Sequence, residues 1–255
     1  MDKHVALISG AGRGIGAATA KMLASEGVAV GVLDVLLDEA EAVAQQIRDA
    51  GYQALALKCD VGLREDVENA ISTVEKEFGP ITILVNNAGV GGPFHRVDQV
   101  SDDEWEWIMN TNLKSVFLFT RNLLPKMKEQ GFGRIVNIAS IQGLYGSAHS
   151  STYVASKHGM IGYTKTIAAE WGEHGITCNA ICPGYVDTAL GVQTDKISDY
   201  MQRVLAKSPV KRIAKPEEIA ALVRHLVGPH GGYINGSSYV IDGGITSHVG
   251  ITSDL

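Results

Sequence analysis

The stretch V-A-L-I-S-G-A-G-R-G-I-G, residues 5–16, joins an unbroken apolar run to a cluster of glycines. Four apolar residues in a row followed by a turn signal predict a short strand buried on both faces. Gly10, Gly14 and Gly16 let the backbone turn tightly and approach a phosphate resting at a helix N-terminus. Arg13 and Ile15 lie in the same loop. The spacing is GxxxGxG rather than the GxGxxG of the commonest dinucleotide fingerprint, and glycines after a strand also serve as plain turns. Position separates the two readings, because this loop stands at the first strand-to-helix junction of an alternating chain.

Working outward, helix-forming sequence from 17 to 25 leads to V-A-V-G-V-L at 28–33, a second strand. A helix through Ala40 to Ala50 ends before Gly51, a residue suited to the position after a helix C-terminus. A-L-A-L-K-C (54–59), a helix through Val67 and Phe78, and I-T-I-L-V (81–85) continue the alternation. Ser101 with Glu104 three residues on has the capping-box spacing, and a long helix is expected over Leu113 to Glu129, closed by Gly131 and Gly133. R-I-V-N-I-A (134–139), a helix from about Thr152 to Trp171, and I-T-C-N-A-I-C (176–182) follow. A polar, irregular stretch is expected from Gly184 to Ser208, then a helix from Pro216 to Val227 and a last strand at S-Y-V-I-D (238–242). Buried strands joined by helical crossovers imply an α/β chain with a doubly wound parallel sheet and helices on both faces. No internal repeat or linker divides it, so residues 1–255 are read as one domain.

Bulk properties exclude several functions. The formal net charge is -6, which argues against nucleic acid or an anionic membrane as partner. The apolar run at the start is too short to span a bilayer and no small-residue cleavage site follows it. Three cysteines, Cys59, Cys178 and Cys182, make no CxxC pair and no disulfide framework, which fits a reducing cytoplasm. The eight histidines show no ligand spacing, so no metal is expected.

Ligands of such sheets bind beyond the carboxyl ends of the strands, so the residues just after each strand carry the functional reading. Asp34 ends the second strand, eighteen residues after Gly16. A carboxylate there accepts hydrogen bonds from an adenosine ribose and repels a 2′-phosphate, favouring NAD(H) over NADP(H). Arg13 argues the other way, since a guanidinium can pair with that phosphate. Asp34 also suits a plain turn. The third strand ends at Asp60-Val61 and the fourth at Asn86-Asn87-Ala88-Gly89. Ser140 ends the fifth, and Tyr153 precedes Lys157 by four residues at the start of the next helix, on one helical face. Eight tyrosines are present and only Tyr153 has a lysine at that spacing. A free phenol ionises near pH ~10, too high for efficient proton exchange at neutrality, and an adjacent ammonium would favour its phenolate.

Glycines 10, 14 and 16, Asp60-Val61, the N-N-A-G run, Ser140, Tyr153-x-x-x-Lys157 and Pro183-Gly184 occur in the order found in the short-chain dehydrogenase/reductase family, which this chain resembles over nearly its whole length. The resemblance implies a Rossmann fold and an NAD(P)-dependent oxidoreductase acting on an alcohol or ketone. It implies Tyr153 as acid–base group, Ser140 holding the substrate oxygen, and Lys157 tuning Tyr153 and binding the nicotinamide ribose. Asn112, ahead of L-K-S-V-F, matches the family's proton-relay asparagine better than Asn110, although asparagine also caps helices. Gly10, Arg13, Gly14, Ile15, Gly16, Asp34, Asp60, Val61, Asn87, Ala88 and Gly89 are expected to contact the cofactor. Pro183, Gly184, Val186 and Thr188 are expected to join them, Thr188 at the carboxamide or as a helix cap. A homotetramer is implied by resemblance alone.

Substrate choice is expected to lie in Val90 to His95, Ile141 to His149, and a covering segment of about 185–208. Ser140, Gln142, His149, Tyr153 and Tyr185 are the candidate substrate residues, with His95 also near the crevice and His158, Trp105 and Trp107 outside it. The run at 175–188 is similar to bacterial 3-hydroxybutyrate dehydrogenases and 3-oxoacyl-thioester reductases. Ser150, Gln142 and Tyr185 stand where the former carry lysine, histidine and tryptophan, so the carboxylate grip of a free hydroxyacid is missing. A neutral secondary alcohol or ketone, or an acyl thioester, fits better. A catalytically silent dinucleotide-binding regulator would predict a damaged Ser-Tyr-Lys set, and a methyltransferase would leave Tyr153, Lys157 and N-N-A-G without a task.

Overall fold

A computed structural model describes residues 4–188 and 199–247; of helix residues 199–201, only the backbone is described. Seven strands form one sheet: β1 (Val5–Ser9), β2 (Ala29–Asp34), β3 (Ala54–Lys58), β4 (Ile83–Asn86), β5 (Gly133–Ile138), β6 (Ile176–Pro183) and β7 (Ser238–Ile241). Their order is β3-β2-β1-β4-β5-β6-β7, and every neighbouring pair is parallel. The chain winds outward from β1 to β3, then returns to β4 on the other side of β1. That reversal opens a crevice beyond the carboxyl ends of β1 and β4.

Alternation along the strands sorts the core into two layers. Ala6 and Ile8 of β1, with Val30, Val85 and Val136, pack against Ala20 and Leu23 of helix α1 (Gly14–Ser25), Val43 of α2 (Leu37–Asp49) and Val223 of α8 (Pro216–Val227). Val5 and Leu7, with Leu84 and Ile135, pack against Ile71 of α3 (Arg64–Phe78) and Phe119 and Leu123 of α5 (Ser115–Gln130). Each fully buried side chain of this size contributes roughly 1.5–3 kcal/mol. The two edge strands are the exceptions: β3 is half-buried along most of its length, and β7 is half-buried with Val240 exposed.

Four local expectations change. The long central helix does not start afresh at residue 113: α4 (Asp102–Met109) runs into α5 through one wide π-helical turn, Asn110–Lys114. Ser115 Oγ donates to Thr111 O inside that turn, and Asn112 turns its amide inward to partners on other elements. The capping box at Ser101 forms only by half: Ser101 Oγ accepts from Glu104 N, while the Glu104 carboxylate lies against His95. The stretch expected to be irregular up to Ser208 holds helix α7 (Asp199–Lys207), anchored by buried Val204, whose carbonyl accepts from Ser208 N. The rest of the covering segment, 189–198, lies outside the described residues, as does the tail from 248. Gly131 takes the left-handed conformation that ends α5, and Gly133 already belongs to β5.

Candidate active site

Ser9 closes β1, and its hydroxyl oxygen accepts hydrogen bonds from the backbone N–H groups of Asn87 and Ala88, each at 3.1 Å. Asn87 reaches back, its Nδ2 donating to the carbonyls of Ser9 at 2.9 Å and Gly10 at 2.8 Å. The N-N-A-G run thus clamps the glycine loop. A Cβ on Gly10 would lie 2.8 Å from Ala88 Cα, and one on Gly16 would lie 2.6 Å from Asn87 Nδ2 and nearer still to the Gly10 carbonyl. With no side chains between loop and clamp, α1 starts at Gly14 with its first N–H groups at the crevice, a ready anion site. Thr188 folds over this loop, its Cγ2 being 2.9 Å from where a Gly14 Cβ would stand.

Asp34 makes the turn expected of it and also holds the glycine loop. Oδ1 accepts from Leu36 N at 3.1 Å, a turn within β2's exit, while Oδ2 accepts from Gly12 N at 2.9 Å and holds the glycine loop. Arg13 points to Glu39, with Nη1 3.6 Å from Oε1. Asp60 turns on itself, its Oδ1 accepting from Gly62 N and its N–H donating to Asp66, while Val61 is buried beside it. Ile15 is half-buried against the core layer of α1.

Beyond β4 and β5 a second group converges. The missing Cβ of Gly89 would sit 3.3 Å from Asn112 Oδ1 and 3.6 Å from Lys157 Nζ. Asn112 is wholly buried; Oδ1 accepts from Val90 N at 2.8 Å, and Nδ2 donates to Val90 O at 2.9 Å and Ser156 Oγ at 3.2 Å. These bonds tie the wide turn to the exit of β4, and they overturn the helix-cap reading of Asn112. Helix α6 (Ser151–Trp171) supplies Tyr153 and Lys157. Lys157 Nζ donates to Ile138 O at 2.8 Å and lies 5.6 Å from the Tyr153 ring centre. Ser140, at the end of β5, accepts from Gln142 N at 3.1 Å and hydrogen-bonds the Tyr153 phenol.

Burial dominates the electrostatics here. It raises the Tyr153 phenol above its ordinary value, with the Ser140 hydrogen bond working in the opposite direction. Lys157 is not among the groups that lower it, so the expected effect of the lysine does not show in the protein alone; taking a phenolate out of water costs more than the Ser140 bond returns. Burial likewise lowers Lys157 from 10.5 to about 8, with the Cys182 thiol pushing it up. Between those values the unfolded chain holds a proton that the folded chain releases, so the cost of burying this lysine falls as pH rises. The stability deficit of the wild type relative to Lys157→Met is expected to narrow by about 2 kcal/mol between about pH 7.5 and 9.5. Urea titrations of both proteins at the two pH values check this, and a constant difference would overturn it.

The remaining candidates lie further out. Gln142 and Tyr185 are half-buried at the exits of β5 and β6. His149 is exposed with a left-handed backbone, φ 63°, and His95 Nδ1 lies 3.0 Å from Glu104 Oε2. Pro183 ends β6, Gly184 packs on Asp242, and buried Val186 bridges to Ala214, so this turn is held from the far edge of the sheet. Trp105, Trp107 and His158 are exposed, on α4 and α6. Contacts therefore run from Asp34 through the glycine loop and from Gly89 through Lys157 and Tyr153 to Ser140. Sequence reasoning missed Ser9, Gly12 and Ser156; the position of Ser9 at the end of the first strand was the one available signal.

Residues 4–198 match the family model described as short chain dehydrogenase. A cyclohexanol dehydrogenase of Acinetobacter sp. is 38% identical over 247 residues, covering 96% of each chain. A 3-oxoacyl-[acyl-carrier-protein] reductase of Staphylococcus epidermidis is 36% identical over 242 residues, 94% of this chain and 98% of that one. A crystal structure of an actinorhodin polyketide ketoreductase variant with NADPH superposes with a TM-score of 0.91 at 34% identity, covering 97% of this chain and 98% of the other.

Proposed function

The chain belongs to the short-chain dehydrogenase/reductase family, and from that premise we propose that it interconverts a neutral secondary alcohol and its ketone with NAD(H). The observation that carries the reading is the group of buried Ser140 and Lys157 with half-buried Tyr153 at the exit of β5, adjoining Gly89 and the glycine cradle. The cradle fits a dinucleotide: the spaces at Gly10 and Gly16 bring backbone close to a pyrophosphate at the start of α1, and Asp34 stands at the ribose end. When bound, the nicotinamide supplies a hydride acceptor for oxidation and a donor for reduction.

The protein's own part is proton transfer and positioning. In oxidation the Tyr153 phenolate oxygen takes the proton of the substrate hydroxyl; in reduction the phenol O–H protonates the carbonyl oxygen. Ser140 holds that oxygen with a hydrogen bond. Lys157 spends one donor on Ile138 O and has others for the nicotinamide ribose, while its charge favours the phenolate. Asn112 keeps the exit of β4 beside Lys157 and provides the amide at which a relay water would bind. Thr188 and Val186, after Pro183-Gly184, cover the nicotinamide end. A single domain, a cytoplasmic location and a homotetramer complete the reading. For the last, exposed Trp105, Trp107 and Phe117 on α4 and α5 offer an apolar face.

An acyl thioester is the second substrate reading, supported by likeness to a 3-oxoacyl-carrier reductase. A free hydroxyacid has less support, since Ser150 is buried and uncharged where a carboxylate grip needs a cation. Assays of the purified protein with NAD(H) and NADP(H) against cyclic and acyclic secondary alcohols, their ketones and 3-oxoacyl thioesters test the proposal. Absence of turnover together with absence of nicotinamide binding would sink it. Asp34→Ala is expected to improve the ratio of NADP+ to NAD+ efficiency by roughly tenfold, removing about 1.4 kcal/mol of discrimination. An unchanged ratio would remove Asp34 from cofactor choice.

A further inference from the structure

The ribose end of the cradle carries two carboxylates, and only one has so far been given a task. Gly12 is flanked by both: a Cβ there would lie 2.9 Å from Asp34 Oδ2 and 2.8 Å from Glu39 Cβ. Glu39 sits in the first turn of α2, where the helix dipole favours a negative charge. One of its oxygens, Oε1, stands 3.6 Å from Arg13 Nη1. The other, Oε2, is buried without a hydrogen-bond partner among the described residues. The carboxylate is thus directed at the guanidinium rather than spent on a cap.

We propose that Glu39 is a cofactor-selectivity residue: by engaging Arg13 it removes from the ribose end the cation that would otherwise receive a 2′-phosphate. The inference rests on the NAD reading above and deepens it. Three residues following Asp34, namely Val35, Leu36 and Leu37, are exposed and apolar and provide no positive charge. Among the described residues, Arg13 from the glycine loop and Lys58, in register with Asp34 on β3, are basic side chains at this end. A guanidinium matches a phosphate by paired, charge-assisted hydrogen bonds that an ammonium cannot form, so Arg13 is the group whose state decides. Both partners of the pair are partly exposed, at 61% and 36% of their side chains. Its strength is therefore screened and its effect moderate.

Isothermal titration with NAD+ and NADP+ of the wild type, Glu39→Gln, Glu39→Ala, Arg13→Ala and Glu39→Ala/Arg13→Ala tests this without reference to turnover. Glu39→Ala is expected to tighten NADP+ binding roughly 5- to 10-fold and to leave NAD+ within about twofold, with Glu39→Gln showing the same direction. Adding Arg13→Ala should abolish the gain, whereas Arg13→Ala alone should change NADP+ binding less than about twofold. Additive effects of the two substitutions, or equal loss of both cofactors in the glutamate variants, would overturn the role of Glu39. A Lys58→Ala change that alone cancels the gain would do the same. The NAD reading itself fails on a different measurement: a wild type that binds NADP+ as tightly as NAD+.

Discussion

Replacing Tyr153 with phenylalanine is expected to lower turnover at least ~100-fold while NAD+ binding stays within about twofold. Phenylalanine keeps the ring and its packing but has no proton to exchange, and Ser140 loses the hydroxyl it bonds. No other described group in the pocket can replace it. Lys157 spends one donor on the Ile138 carbonyl and its others on the ribose, and Ser140 holds the substrate oxygen by a hydrogen bond, so neither takes over the proton exchange in this reading. Loss of one hydrogen bond costs only about 0.5–1.5 kcal/mol of stability, so the variant folds and the effect reads as chemistry. The loss should fall on kcat and kcat/KM together, as expected when an interaction made in the transition state is removed. Turnover within a few-fold of wild type would refute the assigned role.

Gly16→Ala is expected to weaken NAD+ binding by about 100-fold, equivalent to about 2.7 kcal/mol, through one methyl group far from the reacting atoms. That methyl would lie 2.6 Å from Asn87 Nδ2 and 2.8 Å from Ala11 Cα, and closest of all to the Gly10 carbonyl. Backbone lies on two sides, so no flexible side chain can yield; the loop must lift from the clamp of Asn87. The bonds from Asn87 Nδ2 to the Ser9 and Gly10 carbonyls stretch, and the N-terminus of α1 moves from where a pyrophosphate would rest. Overpacking of this kind also costs roughly 1–3 kcal/mol of stability. In a chain of this length that lowers the melting temperature by roughly 2–4 °C per kcal/mol. Calorimetric titration with NAD+ beside thermal melts separates the two effects, and unchanged affinity would show that the loop is not a close-approach site.

Much of the fold was legible because burial on both faces of a parallel sheet leaves unbroken apolar runs, as at Val5–Ile8 and Val28–Leu33. Helix ends were legible where a residue type has one physical use, as with Pro216 at the start of α8 and Gly131 after α5. The wide turn at Asn110–Lys114 was not, because nothing local distinguishes N-T-N-L-K from ordinary helix. It exists because Asn112 finds Val90 and Ser156, residues 22 and 44 positions away. α7 escaped notice for the converse reason: its sequence is largely polar, and among its described side chains Val204 alone is buried.

The site divides along the same line. Sequence alone determined which residue types stand at the strand exits, since order along the chain and the doubly wound topology leave little choice of where Ser140, Tyr153, Lys157 and the glycines can go. Tertiary structure alone decided how those groups are charged and paired. Burial sets the direction of the Tyr153 and Lys157 shifts, because desolvation depends on everything packed around a group. Arg13, whose contest with Asp34 was open in the sequence, is paired with a carboxylate twenty-six positions away: Glu39 lies against it because β2 returns α2 to the glycine loop. Electrostatic pairing falls off with distance in space, and distance along a chain does not report it.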